Sequence, residues 1–211
     1  FLSQTFRNFK HTGAVWPSGD KLAREMTSSL RKSSGPKRIL EVGPGTGAFT
    51  SKILQSVRPG DEFHIVEINP FFCNVLEKRL LEPFRNRHPD LNVELHESPI
   101  ESAPIEGAFD HIVCGLPFNN FPPSLVRGIF KKMLSLLGEN GDLTYFEYAA
   151  VRVMKAPITS SESGETSDES MPTASGCIDG ITVRANSSSR IFRQRLPSGF
   201  FSRPVERPNT S

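Results

Sequence analysis

Between residues 37 and 150, short apolar runs alternate with stretches whose apolar residues recur at helical spacing, the pattern of β-α units building a parallel sheet. The first run, Arg38-Ile39-Leu40-Glu41-Val42, ends in a glycine-rich turn and is followed by Phe49, Ile53 and Leu54 at helical spacing. The second, His64-Ile65-Val66-Glu67, lies between Pro59-Gly60 and Asn69-Pro70, and a helix carrying Phe71, Phe72, Val75, Leu76, Arg79 and Leu80 follows. Further strands are predicted at Val93 to His96, Phe109 to Cys114 and Leu143 to Glu147. A helix from Ser124 precedes the last of these, with Leu125, Ile129, Met133 and Leu137 on one face and Gly138 as its stop. The expectation is an α/β fold, a mainly parallel sheet with helices on both faces.

The pattern stops near Pro157. Residues 160–170 are Ser, Gly, Thr, Glu and Asp alone, and such a stretch buries too little apolar area to offset its ordering entropy. The basic remainder carries Arg184, Arg190, Arg193, Arg195, Arg203 and Arg207 and adds at best a short strand near Ile181 to Val183. Three parts result: a basic arm and helix over 1–32, the α/β domain over 33–156, and a disordered linker and tail over 157–211.

Composition narrows the class further. Of the 211 residues 36% are hydrophobic, low for one globular unit, as expected if the last part stays out of the core. Cys73, Cys114 and Cys177 stand far apart, none in a CxxC pair or at metal-ligand spacing with a histidine, so no metal site is expected and a reducing compartment is. No apolar run approaches the roughly 20 residues that cross a bilayer, and no signal peptide is visible, so the expected location is cytoplasmic. The net charge of +2 does not call for nucleic acid, but residues 1–32 carry six basic side chains against two acidic ones. Phe1, Leu2, Thr5, Phe6 and Phe9 share one helical face there, with Arg7 and Lys10 away from its centre. That segment suits either an anionic membrane surface or a place packed over the ligand site.

The candidate chemistry begins at Glu41-Val42-Gly43-Pro44-Gly45-Thr46-Gly47, set between a strand and a helix. Glycines there let the backbone approach a ligand closely at the carboxyl edge of the sheet. A dinucleotide fingerprint would read GxGxxG, with a pyrophosphate on the helix N-terminus. Here the third glycine comes one residue early and an acid precedes the first. Glu67 ends the second strand about twenty residues on, where a carboxylate accepts two hydrogen bonds from a ribose.

This combination resembles motif I of the class I methyltransferases, which implies a Rossmann-like fold and S-adenosylmethionine as cofactor. The resemblance assigns Glu41, Gly43, Gly45 and Gly47 to the cofactor loop and Glu67 to the ribose. The adenine contact falls to Glu97, Ser98 or a backbone amide, because the usual aspartate is absent from His96-Glu97-Ser98-Pro99-Ile100. His96 reads equally well as an ordinary strand-end histidine.

After the fourth strand stands Gly115-Leu116-Pro117-Phe118-Asn119-Asn120-Phe121-Pro122-Pro123, where such enzymes face the methyl acceptor. Enzymes that methylate adenine or glutamine amides place Asn or Asp at the position held here by Gly115. The chain instead resembles bacterial phospholipid N-methyltransferases, relatives of the ribosomal-RNA adenine dimethylases, through Phe6 to Lys10, Gly13 to Ser18, motif I and Leu116 to Pro123. The resemblance implies methylation of the amine of phosphatidylethanolamine by an enzyme that touches the inner face of the cell membrane peripherally. Phe118, Asn119 and Phe121 are then the acceptor-side catalytic candidates, with Gly115 beside the cofactor. Phe118, Phe121, Tyr145 and Tyr148 are the aromatics suited to holding a methylated ammonium, at about 0.5–2 kcal/mol per ring, and Glu147 is a candidate proton acceptor. Two other readings compete: a ribosomal-RNA adenine dimethylase, whose partner is RNA, and a non-catalytic relative that binds cofactor or lipid.

Overall fold

The computed structural model describes residues 17–32, 34–148, 178–184 and 192–195. Helices α1 (Pro17–Met26) and α2 (Ser28–Lys32) lead into strand β1 (Arg38–Val42). Then come α3 (Ala48–Leu54), β2 (Glu62–Glu67), α4 (Pro70–Leu76), α5 (Glu82–Arg87) and β3 (Asn92–Glu97). Strand β4 (Phe109–Cys114), helix α6 (Pro123–Leu136) and strand β5 (Leu137–Tyr148) follow, and β6 (Ile178–Arg184) and β7 (Phe192–Arg195) come last.

The sheet runs in the order β3-β2-β1-β4-β5-β6-β7, parallel through β5 and antiparallel beyond it. The chain winds outward from β1 to β3, then crosses back to place β4 on the other side of β1. That reversal opens a crevice at the carboxyl ends of β1 and β4, the place where open α/β sheets bind ligands. Strand alternation divides the core. Ile39, Phe63, Ile65 and Val113 face a layer made with α1 to α5, while Leu40, Val42, Val66, Ile112 and Cys114 face α6.

Ala23, Met26 and Leu30 are fully buried in the first layer, so the described part of the N-terminal arm belongs to the core. Pro17 and Ser18 open helix α1, where proline's missing N–H costs nothing. Residues 1–16, with the amphipathic face read from the sequence, lie outside the described residues.

The helix after β2 is capped by Asn69, whose side chain accepts from the Phe71 amide at 3.0 Å, with Pro70 at its first position. A π-helical turn, Glu77–Leu81, joins α4 to α5. Pro83 stands just beyond that turn, and the wider winding accommodates a residue that neither donates a backbone bond nor tolerates a normal preceding carbonyl.

Two expectations change. Leu137, assigned to the helix face, starts β5 instead, and the chain bulges before pairing resumes at His111 and Asp142. Gly138 and Gly141 make this bulge possible, because side chains there would meet the Phe109 carbonyl at 3.1 and 2.7 Å. The second change concerns the tail, where residues 178–184 and 192–195 are sheet strands rather than disordered chain. The sequence placed at most Ile181 to Val183 in a strand. Pairing of β6 from Asp142–Arg184 to Tyr148–Ile178 covers the open edge of β5, whose backbone groups reward any segment long enough to reach them. The polar stretch at 160–170 lies outside the described residues.

Candidate cofactor and acceptor site

Four strand ends are stitched together by backbone bonds at the crevice. The amide of Gly43 donates to the Val66 carbonyl at 2.9 Å, that of Gly115 to Val42 at 2.8 Å, and that of Ser98 to Glu67 at 3.0 Å. The ends of β1, β2, β3 and β4 therefore sit level and present their following loops to one cleft. Its walls include Val42, Gly43, Val66, Glu67, Ser98 and Leu116, and the empty space between them, open mouth included, is about 400 Å³.

The three glycines of the loop serve different ends. All have positive φ, 67° at Gly43, 57° at Gly45 and 91° at Gly47. A side chain on Gly43 would collide with Leu116, and one on Gly47 would come within 2.5 Å of Leu80 and 2.9 Å of Leu76 on the neighbouring helix. Gly45 has open space where a Cβ would stand, so a ligand can approach the half-buried backbone there.

Glu67 is 3% exposed, and both its oxygens are engaged, with Gly45 donating at 3.1 Å and Asn69 at 2.8 Å. Burial raises its pKa, against the pull of these backbone N–H groups. Each oxygen keeps a second lone pair, so the carboxylate retains capacity for a hydroxyl pair.

Glu41 is fully buried beneath the loop, and neither oxygen has a hydrogen-bond partner within the described residues. Burial pushes its carboxyl up to about 8. The hydroxyl and amide of Thr50 favour the charged form without reaching hydrogen-bond geometry, and the charge of Glu67 opposes it. The buried Ser98 hydroxyl in the cleft wall also lacks a partner. An open glycine cradle, an orphaned carboxyl below it and an orphaned hydroxyl beside it are what a polar nucleoside ligand would complete.

The sequence-derived candidates separate on this geometry. Gly43, Glu67 and Ser98 line the cleft, whereas Glu97 is exposed at the end of β3 and is not among the lining residues. Gly115 has a packing reason that its sequence position did not reveal: a side chain there would lie 2.5 Å from the Gly43 carbonyl. On the acceptor side Phe121 lines the cleft and Phe118 does not. Phe118 instead packs among Phe121, Phe130 and Tyr145, with ring centroids 6.3, 4.8 and 6.0 Å away. Phe130 was missed, although its spacing from Ile129 and Met133 on α6 places it at the edge of the apolar face. The Asn119 side chain and those of Glu147 and Tyr148 lie outside the described ones.

Sheet order, switch-point cleft and acid-capped glycine loop define a doubly wound nucleoside-binding domain. The family model described as methyltransferase domain matches residues 39–141, from β1 to the bulge of β5. The ornithine lipid N-methyltransferase of Singulisphaera acidiphila is 28% identical over 150 residues, 67% of this chain and 72% of that protein. The methyltransferase calH of Penicillium decumbens is 27% identical over 137 residues, 61% of this chain but 36% of that one. A solved 1,6-didemethyltoxoflavin-N1-methyltransferase of Burkholderia thailandensis shares the fold, with TM-score 0.51, 14% identity, and coverage of 92% of this chain and 68% of that one. Residues 39–141 thus form a methyltransferase domain with S-adenosylmethionine as its cofactor, on the fold shared with that solved methyltransferase.

Proposed function

We infer that the enzyme N-methylates the primary amine of a membrane-lipid headgroup, phosphatidylethanolamine or an amino-acid lipid. The observation that carries this reading is the similarity to an ornithine lipid N-methyltransferase along 150 residues, a span that reaches beyond the shared cofactor domain. The acceptor side supports it. Gly115 offers no side chain to hold a planar amide or adenine NH2, and Phe121 gives the cleft an aromatic wall suited to an alkylammonium product.

S-adenosylmethionine supplies an electrophilic methyl group on a sulfonium centre. Glu67 would hold the ribose hydroxyls, Ser98 would face the adenine, and the Gly45 backbone would bound the amino-acid end. The acceptor nitrogen must be neutral to attack, so the chain's contribution is to hold it in line with the methyl carbon and exclude water. The amine proton leaves to solvent through the open mouth. Among the described residues no helix is long and apolar enough to cross a membrane. The basic segment over 1–32 is the part we assign to transient contact with an anionic surface.

The test is incubation of the purified chain with methyl-labelled S-adenosylmethionine and vesicles of phosphatidylethanolamine or ornithine lipid mixed with an anionic lipid. Label is expected in the lipid and is lost in Gly45→Arg. Cofactor binding without lipid label would overturn the reading and move the acceptor to RNA or soluble amines.

A further inference from the structure

On the α6-facing side of the sheet, away from the loop chemistry, β2 and β3 bring two histidines and a carboxylate together. His64 pairs in register with Glu94, and His96 lies two residues further along the same face. His64 Nδ1 is 3.1 Å from His96 Nε2, and the same Glu94 Oε2 is 3.8 Å from each. The point equidistant from these three atoms lies about 2.1 Å from every one of them, the length of a zinc bond to imidazole nitrogen or carboxylate oxygen.

Other features of the cluster agree. At 3.8 Å Glu94 is too distant to accept a hydrogen bond from either ring, and it is aimed at the gap between them. Both histidine side chains are largely buried, at 11% and 13% exposure, while Glu94 is half exposed, so the cluster opens to solvent on the Glu94 side. The remaining nitrogen of His64, Nε2, is buried without a hydrogen-bond partner, and the Glu62 carboxylate stands 3.7 Å from it. A carboxylate on that side of a metal-bound histidine orients the ring once it comes within hydrogen-bond distance, which 3.7 Å is not. Glu62 is held in turn by Arg38 at 2.7 Å. The crossover from β3 to β4 carries only a short 3-10 turn, Ile100–Ser102, so no helix among the described residues of that crossover caps the site.

We propose that His64, Glu94 and His96 bind a divalent transition-metal ion of the zinc class, which staples edge strand β3 to β2. Two imidazoles and one carboxylate suit zinc and its neighbours rather than calcium or magnesium. Without the ion, one ring donates its N–H to the other; the ion replaces that proton, with a slight turn of each ring toward Glu94. The role is structural, because Val66 and Ser98, two residues further along the strands, are the ones that reach the cleft.

The test uses the full chain stripped of metal by a chelator and titrated with Zn2+ against a chromophoric competitor, with melting followed in parallel. One equivalent is expected to bind and to raise the melting temperature. Co2+ in its place is expected to give the visible bands of a four-coordinate site. Glu94→Gln, at a half-exposed position, should fold normally and weaken binding roughly tenfold or more, and His96→Gln should abolish it. His88→Ala, outside the cluster, should bind as the parent does. Absence of stoichiometric Zn2+ binding, or binding unchanged in Glu94→Gln and His96→Gln, would overturn the site and leave the two rings as a hydrogen-bonded strand contact.

Discussion

The Glu67 carboxylate accepts a hydrogen bond from the Gly45 amide at 3.1 Å, tying the end of β2 to the one loop glycine that faces open space. The residue expected to bind ribose thus also sets the loop that we assign to the rest of the cofactor. Substitution should remove both contributions at once. Glu67→Ala is expected to weaken S-adenosylmethionine binding by roughly two orders of magnitude, from a lost charge-assisted pair of about 1.5–3 kcal/mol. Calorimetry on folded protein checks this, and an affinity within threefold of the parent would count against the assignment.

Gly115→Ala separates packing from acceptor recognition. Its Cβ would lie 2.5 Å from the Gly43 carbonyl, a backbone atom that cannot swing away. A destabilisation of about 1–3 kcal/mol is expected, visible as a lower melting temperature together with weaker cofactor binding. A variant as stable as the parent would show that β4 and the loop can part without cost.

The two acceptor-side phenylalanines should behave differently. Phe121 lines the cleft, so Phe121→Ala is expected to raise the KM for the acceptor with a small change in stability. Phe118 is partly buried and packed among three rings, so Phe118→Ala is expected to cost about 2–3 kcal/mol of stability. Paired kinetics and denaturant unfolding distinguish these outcomes.

Glu41 predicts a pH dependence. Its carboxyl is raised from 4.5 to about 8 by burial, so the folded state binds a proton more tightly than the unfolded one. Stability is therefore lost as pH rises from the unfolded value through the folded one, and the window is about pH 4.5 to 8. Glu41→Gln should remove that slope and gain on the order of 1–3 kcal/mol over the parent at pH 8 relative to pH 5. Equilibrium unfolding of both proteins at the two pH values measures the difference, and parallel profiles would contradict it.

Lys37 and Asp61 form an ion pair at 2.9 Å with side chains 3% and 1% exposed, joining the start of β1 to the turn before β2. Asp61 also accepts from the Lys37 and Arg58 amides at 3.0 and 2.9 Å. Asp61→Ala leaves a buried ammonium unpaired and is expected to cost about 3–5 kcal/mol. Adding Lys37→Met should recover part of that loss in a chemical unfolding series.

What the sequence determined by itself is what short segments encode. The five parallel strands follow from apolar runs bounded by Gly, Pro and Asn, because alternation and turn chemistry act within a few residues. The glycine turn over Glu41 to Gly47, which we assign to the cofactor, follows from its sequence because positive φ restricts the residue type at each glycine. Glu67 follows from its place at a strand end. Tertiary structure alone decided features that depend on segments far apart in the chain. Gly115 is glycine because Gly43 passes against it, 72 residues away in sequence. Phe121 reaches the cleft and Phe118 does not, because Phe130 and Tyr145 arrive from another helix and another strand. His64 and His96 carry no spacing motif, and they meet only because β2 and β3 pair in one register of several that their apolar residues would permit. Strand β6 was faint as a pattern because its stabilisation comes from the backbone edge of β5, which no property of residues 178–184 records.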